Sequence, residues 1–164
     1  MNVGLAALST RQAVALAQAA EQAGCRGLMV LPAYVHKGDM REARAHVEAV
    51  LRCTKLPCML YNNPPAYGTD FTPPFVAELA ASNSNLVAVK ESSGDARRVT
   101  AIKALVGDRL DVLVGMDDMV VEGVAAGAVG WLGLRAARAR GGRIDGLVGT
   151  PARSEHRAPG TADR

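Results

Sequence analysis

Lys90 is the residue whose position most suggests covalent chemistry. It ends a short apolar run, Leu86–Val89, and a polar turn, Glu91–Asp95, follows it at once. Such a run predicts a parallel strand covered on both faces, in which Leu86 and Ala88 share the face of Lys90 and two valines line the other. Burial at the end of this strand favours the neutral amine, which is the form that attacks a carbonyl carbon. The alternative is a solvated lysine just beyond the strand, because most lysines are exposed.

Other apolar runs also end close to side chains that can transfer protons. Residues 56–60 lead into Tyr61, 29 positions before Lys90, and residues 27–31 come shortly before Tyr34. A further run leads into Gly115, 25 positions after Lys90. These intervals approach the roughly 30 residues per strand-and-helix unit of an eight-unit barrel of about 250 residues. The unusual residues therefore gather at the carboxyl edge of one predicted parallel sheet.

The elements that must position these residues are six strands alternating with five helices. Ser9–Thr10 supplies an N-cap for the first helix, and Asp39 with Glu42 forms a predicted capping box for the second. Strands are predicted at residues 1–6, 27–31, 57–61, 86–90, 110–114 and 129–133, and helices at residues 11–23, 40–53, 73–82, 95–106 and 117–126. The fold class is α/β, a partial TIM (β/α)8 barrel, since 164 residues are fewer than the roughly 200 that a complete barrel needs. A doubly wound open sheet fits the spacing almost as well, but it would want a glycine-rich phosphate loop, and Gly94 alone is not one.

Taken in order, these motifs resemble the dihydrodipicolinate synthase and N-acetylneuraminate lyase family over roughly residues 3 to 134. The resemblance implies that Lys90 is the Schiff-base lysine, Tyr61 the catalytic tyrosine of the Tyr-Asn-x-Pro motif and Tyr34 the second tyrosine of a proton relay. It further implies that Gly115 and Leu132 line a keto-acid pocket. No cofactor is implied. The family's Gly-Thr-Thr-Gly-Glu motif is missing from this chain, which we interpret as truncation at the N-terminus.

The resemblance also narrows the reaction. It implies a lyase or synthase that binds a 2-oxo acid of the pyruvate type and makes or breaks a C–C, C–O or C–N bond. Dihydrodipicolinate synthases carry an arginine two residues after the motif proline, where this chain has Ala66. The loop from Asn62 to Gly68 is more similar to members acting on pyrroline carboxylates or deoxy sugar acids as deaminases, dehydratases or aldolases. The alternative is an inactive barrel fragment that at most associates with intact subunits. Separately, the resemblance implies a homotetramer for intact family members.

Charge divides the chain into a predicted catalytic domain, residues 1–134, and a tail, residues 135–164. The tail holds seven arginines, no lysine and three acidic residues, while the net charge of the whole chain is only +3. We therefore expect no nucleic-acid partner. We expect the tail to be disordered from about residue 140, and we interpret it as the product of a shifted reading frame in preference to a basic segment that binds an acidic partner.

Neither a membrane span nor a metal site is expected. No apolar run approaches 18 residues, the histidines have no ligand spacing, and the three cysteines fall in helix or strand patterns typical of buried thiols. The sequence predicts a soluble cytoplasmic protein.

Overall fold

A computed structural model describes residues 2–33 and 38–133 of this 164-residue chain. Six strands alternate with helices along these residues. The strands are β1 (Asn2–Leu5), β2 (Gly27–Val30), β3 (Cys58–Asn62), β4 (Leu86–Glu91), β5 (Asp111–Val114) and β6 (Gly130–Trp131). The helices are α1 (Thr10–Gln22), α2 (Met40–Arg52), α3 (Pro64–Tyr67), α4 (Pro73–Ser82), α5 (Arg97–Val106) and α6 (Val120–Ala125), with a 3₁₀ turn at Gly107–Arg109. The predicted tail, residues 135–164, lies outside the described residues.

The helices begin where capping chemistry predicts. The Ser9 side chain accepts a hydrogen bond from the Gln12 backbone N–H at the start of α1. Asp39 and Glu42 form the predicted capping box of α2, in which each side chain accepts from the backbone N–H of the other's residue. The predicted loop after β3 contains the one-turn helix α3, because Asn63 caps a segment that opens with two prolines.

All six strands are parallel and lie in their sequence order, β1 to β6. A doubly wound sheet reverses its strand order at a switch point, so that alternative is wrong. Each helix connects a strand to the next strand on the same side, and such crossovers between parallel strands are right-handed. All the helices therefore lie on one face of the sheet. The other face is therefore the one that lines the interior of a barrel, and the partial (β/α)8 architecture is confirmed.

The hydrophobic core lies between the helices and the helix-facing side of the sheet. It joins strand residues such as Val30, Leu60 and Val89 to helix residues such as Val47 and Ile102, and all five are at most 1% exposed. Burying each such side chain contributes about 1.5–3 kcal/mol to folding. This packing fixes the sheet, and it leaves the interior face for other side chains.

The predicted faces of β4 need a correction at Leu86 and at Val87. Leu86 belongs with Val89 to the helix-side core, although we predicted that it shares the face of Lys90. Val87, which we predicted to share a covered face with Val89, lies outside that core and is 41% exposed. The pairing of β3 with β4 shifts between Cys58 and Met59, whose partners are Leu86 and Ala88. A bulge adds one residue and reverses the alternation of faces. Beyond the bulge the prediction for Lys90 is unaffected.

Candidate active site

Lys90 and Tyr61 are direct neighbours across the β3–β4 pair, near the carboxyl ends of both strands. The Lys90 Nζ lies over the Tyr61 ring, 4.2 Å from its centroid. Lys90 is only 7% exposed, so the alternative of a solvated lysine is wrong. The aromatic face attracts the amine when it is protonated and provides an apolar wall when it is not. The arrangement therefore holds a buried amine beside a phenol.

The Tyr61 hydroxyl has a defined hydrogen-bonding state. It accepts a hydrogen bond of 2.9 Å from the Asn63 Nδ2, and the Oδ1 of the same amide accepts from the Ala66 backbone N–H at the start of α3. That second bond fixes which end of the amide faces the phenol. Since the amide donates, the phenol hydrogen remains available to another acceptor. Sequence reasoning missed Asn63, although its place before Pro64 and Pro65 is a typical N-cap signal.

Gly115 makes room for the lysine. A Cβ atom on this residue would lie 2.7 Å from the Lys90 Cε and 1.8 Å from the Ser92 Oγ. The Gly115 N–H donates to the Glu91 carbonyl oxygen over 2.8 Å, which fixes the backbone against β4. A side chain at this position would displace the amine or the hydroxyl.

The other two predicted site residues lie farther from Tyr61 or outside the described part of the chain. Leu132 follows β6 and is partly buried, and its N–H donates to the Val114 carbonyl oxygen over 2.9 Å. It stands at the carboxyl edge, two strands along from β4. Tyr34 is not among the described residues.

A buried polar pair joins the ends of β3 and β4, the two strands that carry Tyr61 and Lys90. The Asn62 Nδ2 donates to the Glu91 Oε2 over 2.9 Å, and these residues directly follow Tyr61 and Lys90. The Asn62 Oδ1 accepts from the Phe71 N–H at 3.0 Å, and the Glu91 Oε1 accepts from the Ser93 N–H at 2.6 Å. Both side chains are at most 5% exposed. Sequence reasoning missed this pair, because nothing local shows that residues 29 positions apart will meet.

An ion pair supports that network from the outside. The Arg98 guanidinium donates to both carboxylate oxygens of Asp70 over 2.5 and 2.6 Å. These bonds hold the pKa of the Asp70 carboxyl below its ordinary value of 3.8 and raise the pKa of Arg98. The pair joins the start of α5 to the loop before α4 and so steadies the chain that follows each reactive strand.

The three cysteine thiols are buried or partly buried in the described fold. Cys25 and Cys58 are buried and Cys53 is partly buried, all as free thiols. Burial raises the pKa of the Cys58 thiol to about 12, so this thiol stays protonated at neutral pH. Within residues 2–33 and 38–133, no three His, Cys, Asp or Glu side chains are grouped to hold a metal ion, and no helix is long and apolar enough to cross a membrane.

Six parallel strands with helices on one face of the described sheet, and an amine beside a phenol at its carboxyl edge, define a protein of the (β/α)8-barrel class with a candidate site at that edge. The family model described as the dihydrodipicolinate synthetase family matches residues 1–148, and the chain belongs to that family. This match reaches past residue 134, where we expected the resemblance to end.

The relatives agree on family and fold. The chain is 32% identical over 127 residues to 4-hydroxy-tetrahydrodipicolinate synthase of Clostridium tetani, covering 77% of this chain and 43% of that protein. It is 41% identical over 111 residues to a protein named probable 5-dehydro-4-deoxyglucarate dehydratase of Saccharopolyspora erythraea, covering 68% and 35%. The structure of YagE, a family member from E. coli K12 in complex with pyruvate, superposes with a TM-score of 0.75 at 30% identity, covering 80% of this chain and 45% of that chain. The chain thus spans less than half the length of these relatives.

Proposed function

We propose that this chain provides the Schiff-base chemistry of its family, with Lys90 as the nucleophile toward the ketone of a 2-oxo acid. The observation that carries the proposal is the buried Lys90 amine, 4.2 Å from the centre of the Tyr61 ring at the carboxyl edge of the sheet. Sites of barrel enzymes lie at this edge. The family supports the same reaction class, because the named relatives include a synthase and a dehydratase.

The covalent step follows from the chemistry of an amine. The Lys90 nitrogen lone pair forms a bond to the ketone carbon, and the electrons of the C=O π bond move to the oxygen. This oxygen takes up protons and leaves as water, while the nitrogen loses its own proton and forms a C=N double bond. Protonation of that imine draws electrons from the adjacent carbon and lowers the barrier to making or breaking a bond there.

Tyr61 is the proton carrier in this proposal. Its oxygen accepts from Asn63, so its own hydrogen can be donated toward the substrate. General acid–base catalysis requires such a group within hydrogen-bond reach of the reacting atoms, and a position against the lysine stem favours Tyr61 for that role. Tyr34 completes the proposed relay, and Gly115 and Leu132 border the keto-acid pocket.

We assign the substrate to the pyruvate-type 2-oxo acids, with a dehydratase, deaminase or aldolase preferred over a dihydrodipicolinate synthase. The structure of YagE contains pyruvate, and the relative with 41% identity is named a dehydratase. This chain also has Ala66 where dihydrodipicolinate synthases carry an arginine, so it lacks a guanidinium that can bind a second carboxylate bidentately.

The second candidate is a partial barrel without catalysis that associates with intact subunits. Its support is the unpaired outer edge of β1 in the described sheet, together with coverage of less than half of each relative. An exposed strand edge invites pairing with another chain. Under the first candidate we retain the family's homotetramer as a proposal, although one solved relative is described as a monomeric dihydrodipicolinate synthase variant. We also retain a cytoplasmic location, which free thiols favour.

Reductive trapping separates the two candidates. The purified chain is incubated with pyruvate and sodium borohydride, and peptide mass spectrometry then locates any reduced adduct. We expect the adduct on Lys90 and its loss in Lys90→Met, whereas Lys55→Met, which removes an exposed lysine, should retain it. An unmodified Lys90 at every pyruvate concentration would leave only the second candidate.

A further inference from the structure

Ser92 carries a buried hydroxyl that has no hydrogen-bond partner among residues 2–33 and 38–133. The residue is 1% exposed, and its Oγ is the buried side-chain oxygen that lacks a hydrogen-bond partner within the described part of the chain. Buried hydroxyl groups in native proteins are nearly always paired. An unpaired one at the end of a strand therefore requires an explanation, and a bound ligand is one of the usual ones.

The orphan hydroxyl belongs to the same small space as the Lys90 side chain. The ideal Cβ position on Gly115 lies 1.8 Å from the Ser92 Oγ and 2.7 Å from the Lys90 Cε. The two atoms therefore lie on either side of the same small gap beside Gly115. Because residue 115 is a glycine, no side chain separates them. The hydroxyl therefore faces the part of the lysine that carries the reacting nitrogen.

The backbone of Ser92, which carries the hydroxyl, is fixed against the neighbouring strand. Its N–H donates to the Asn62 carbonyl oxygen over 2.8 Å, which ties Ser92 to the end of the strand that bears Tyr61. The neighbouring Glu91 is held on the other side by Asn62 and Ser93. The Ser92 backbone is thus fixed between the two strands, and rotation about the Cα–Cβ bond alone aims its hydroxyl at a ligand.

We infer that Ser92 is a substrate-contacting residue whose hydroxyl hydrogen-bonds the ketone oxygen of a 2-oxo acid while Lys90 attacks the adjacent carbon. This inference rests on the proposed function. The contact strengthens as the C=O electrons move onto that oxygen, because a hydrogen bond to developing negative charge is stronger than one to a neutral carbonyl. Ser92 then supports formation of the carbinolamine more than the initial binding of the acid.

The test is the rate of borohydride trapping on Lys90 as a function of pyruvate concentration, in the full 164-residue chain. Ser92→Ala should lower the maximum rate by roughly three- to tenfold, which corresponds to the loss of one hydrogen bond. The half-saturating pyruvate concentration should change less than twofold. Ser92→Cys, which replaces the hydroxyl with a slightly larger and weakly donating thiol, should lose nearly as much.

Stability and a neighbouring serine provide the controls. Because the hydroxyl has no partner in the described part of the chain, Ser92→Ala should melt at the same temperature as the parent chain or higher. Ser93→Ala removes a hydroxyl that accepts from the Asp95 N–H and should leave the trapping rate unchanged.

Each other outcome overturns the inference in a recognisable way. An unchanged maximum rate in Ser92→Ala removes the contact while leaving the Schiff base intact. A change in the half-saturating pyruvate concentration alone would assign the hydroxyl to ground-state binding. A lower melting temperature with a matching loss of trapping rate would make Ser92 a structural residue. If the parent chain forms no adduct, the proposed function fails together with this inference.

Discussion

Replacing Gly115 with alanine would insert a methyl group into the space that the Lys90 side chain occupies. The added Cβ would lie 2.7 Å from the Lys90 Cε and 1.8 Å from the Ser92 Oγ, both below any ordinary contact distance. The lysine stem and the Ser92 hydroxyl can rotate, but the Ser92 backbone is held by its hydrogen bond to Asn62. Overpacking of this kind destabilises by about 1–3 kcal/mol. For a domain of this size that lowers the melting temperature by roughly 3–10 °C.

The assay pairs thermal melting with reductive trapping of pyruvate. Gly115→Ala should still fold, because this glycine has no positive φ and the clash is with side chains. Its trapping rate should fall at least tenfold, since the amine must leave its place over the Tyr61 ring. Gly130→Ala is the matched control, because the nearest atom to its added Cβ would be the Leu113 Cδ2 at 3.9 Å. Wild-type melting and trapping in Gly115→Ala would refute the steric argument.

Three further predictions concern the surroundings of the site. Glu91→Gln keeps the shape, but its single amide oxygen can accept from only one of the Asn62 Nδ2 and the Ser93 N–H, so an NH₂ donor faces the other donor. Urea denaturation should therefore show a loss of about 1.5–3 kcal/mol, and an unchanged midpoint would contradict the importance of these bonds. Arg98 lowers the folded-state pKa of Asp70. The ionised Asp70 carboxylate therefore stabilises the fold above the ordinary pKa of 3.8, and this stabilisation is lost as the pH falls below 3.8. Asp70→Asn should flatten the fall in urea midpoint between pH 5 and pH 3. Burial lowers the pKa of His46 from 6.5, so on acidification the unfolded chain binds a proton that the folded chain does not. The free energy of unfolding therefore falls as the pH drops from about 7. His46→Gln should reduce the difference in urea midpoint between pH 7.5 and pH 5.5.

The alternation of strands and helices was predictable because it depends on local patterns. Caps such as Ser9 and Asp39, and apolar runs of five residues between helical periods, act over a few neighbouring positions and need no tertiary information. The differences are at element ends. Helix α5 begins at Arg97 and α6 at Val120, two and three residues later than predicted, because short polar turns precede both.

The juxtaposition of Lys90 and Tyr61 was predictable for a related reason. A reactive side chain at the end of an apolar run is visible in one dimension, so Lys90 and Tyr61 could be selected from sequence and family resemblance. Parallel pairing of sequential strands then brings such ends to one edge. The distance between amine and ring, and the side of the sheet on which they meet, still depend on register.

Only the tertiary structure decided how the site is supported. The bulge that moved Leu86 to the helix side, and the pairing of Asn62 with Glu91, depend on contacts between segments about 29 residues apart. The unpaired hydroxyl of Ser92 is likewise a property of everything around it, since a sequence shows which groups can form hydrogen bonds but not which of them find partners. Local sequence thus determined the elements and the residues at their ends, and long-range packing determined which buried polar groups of the described residues found hydrogen-bond partners.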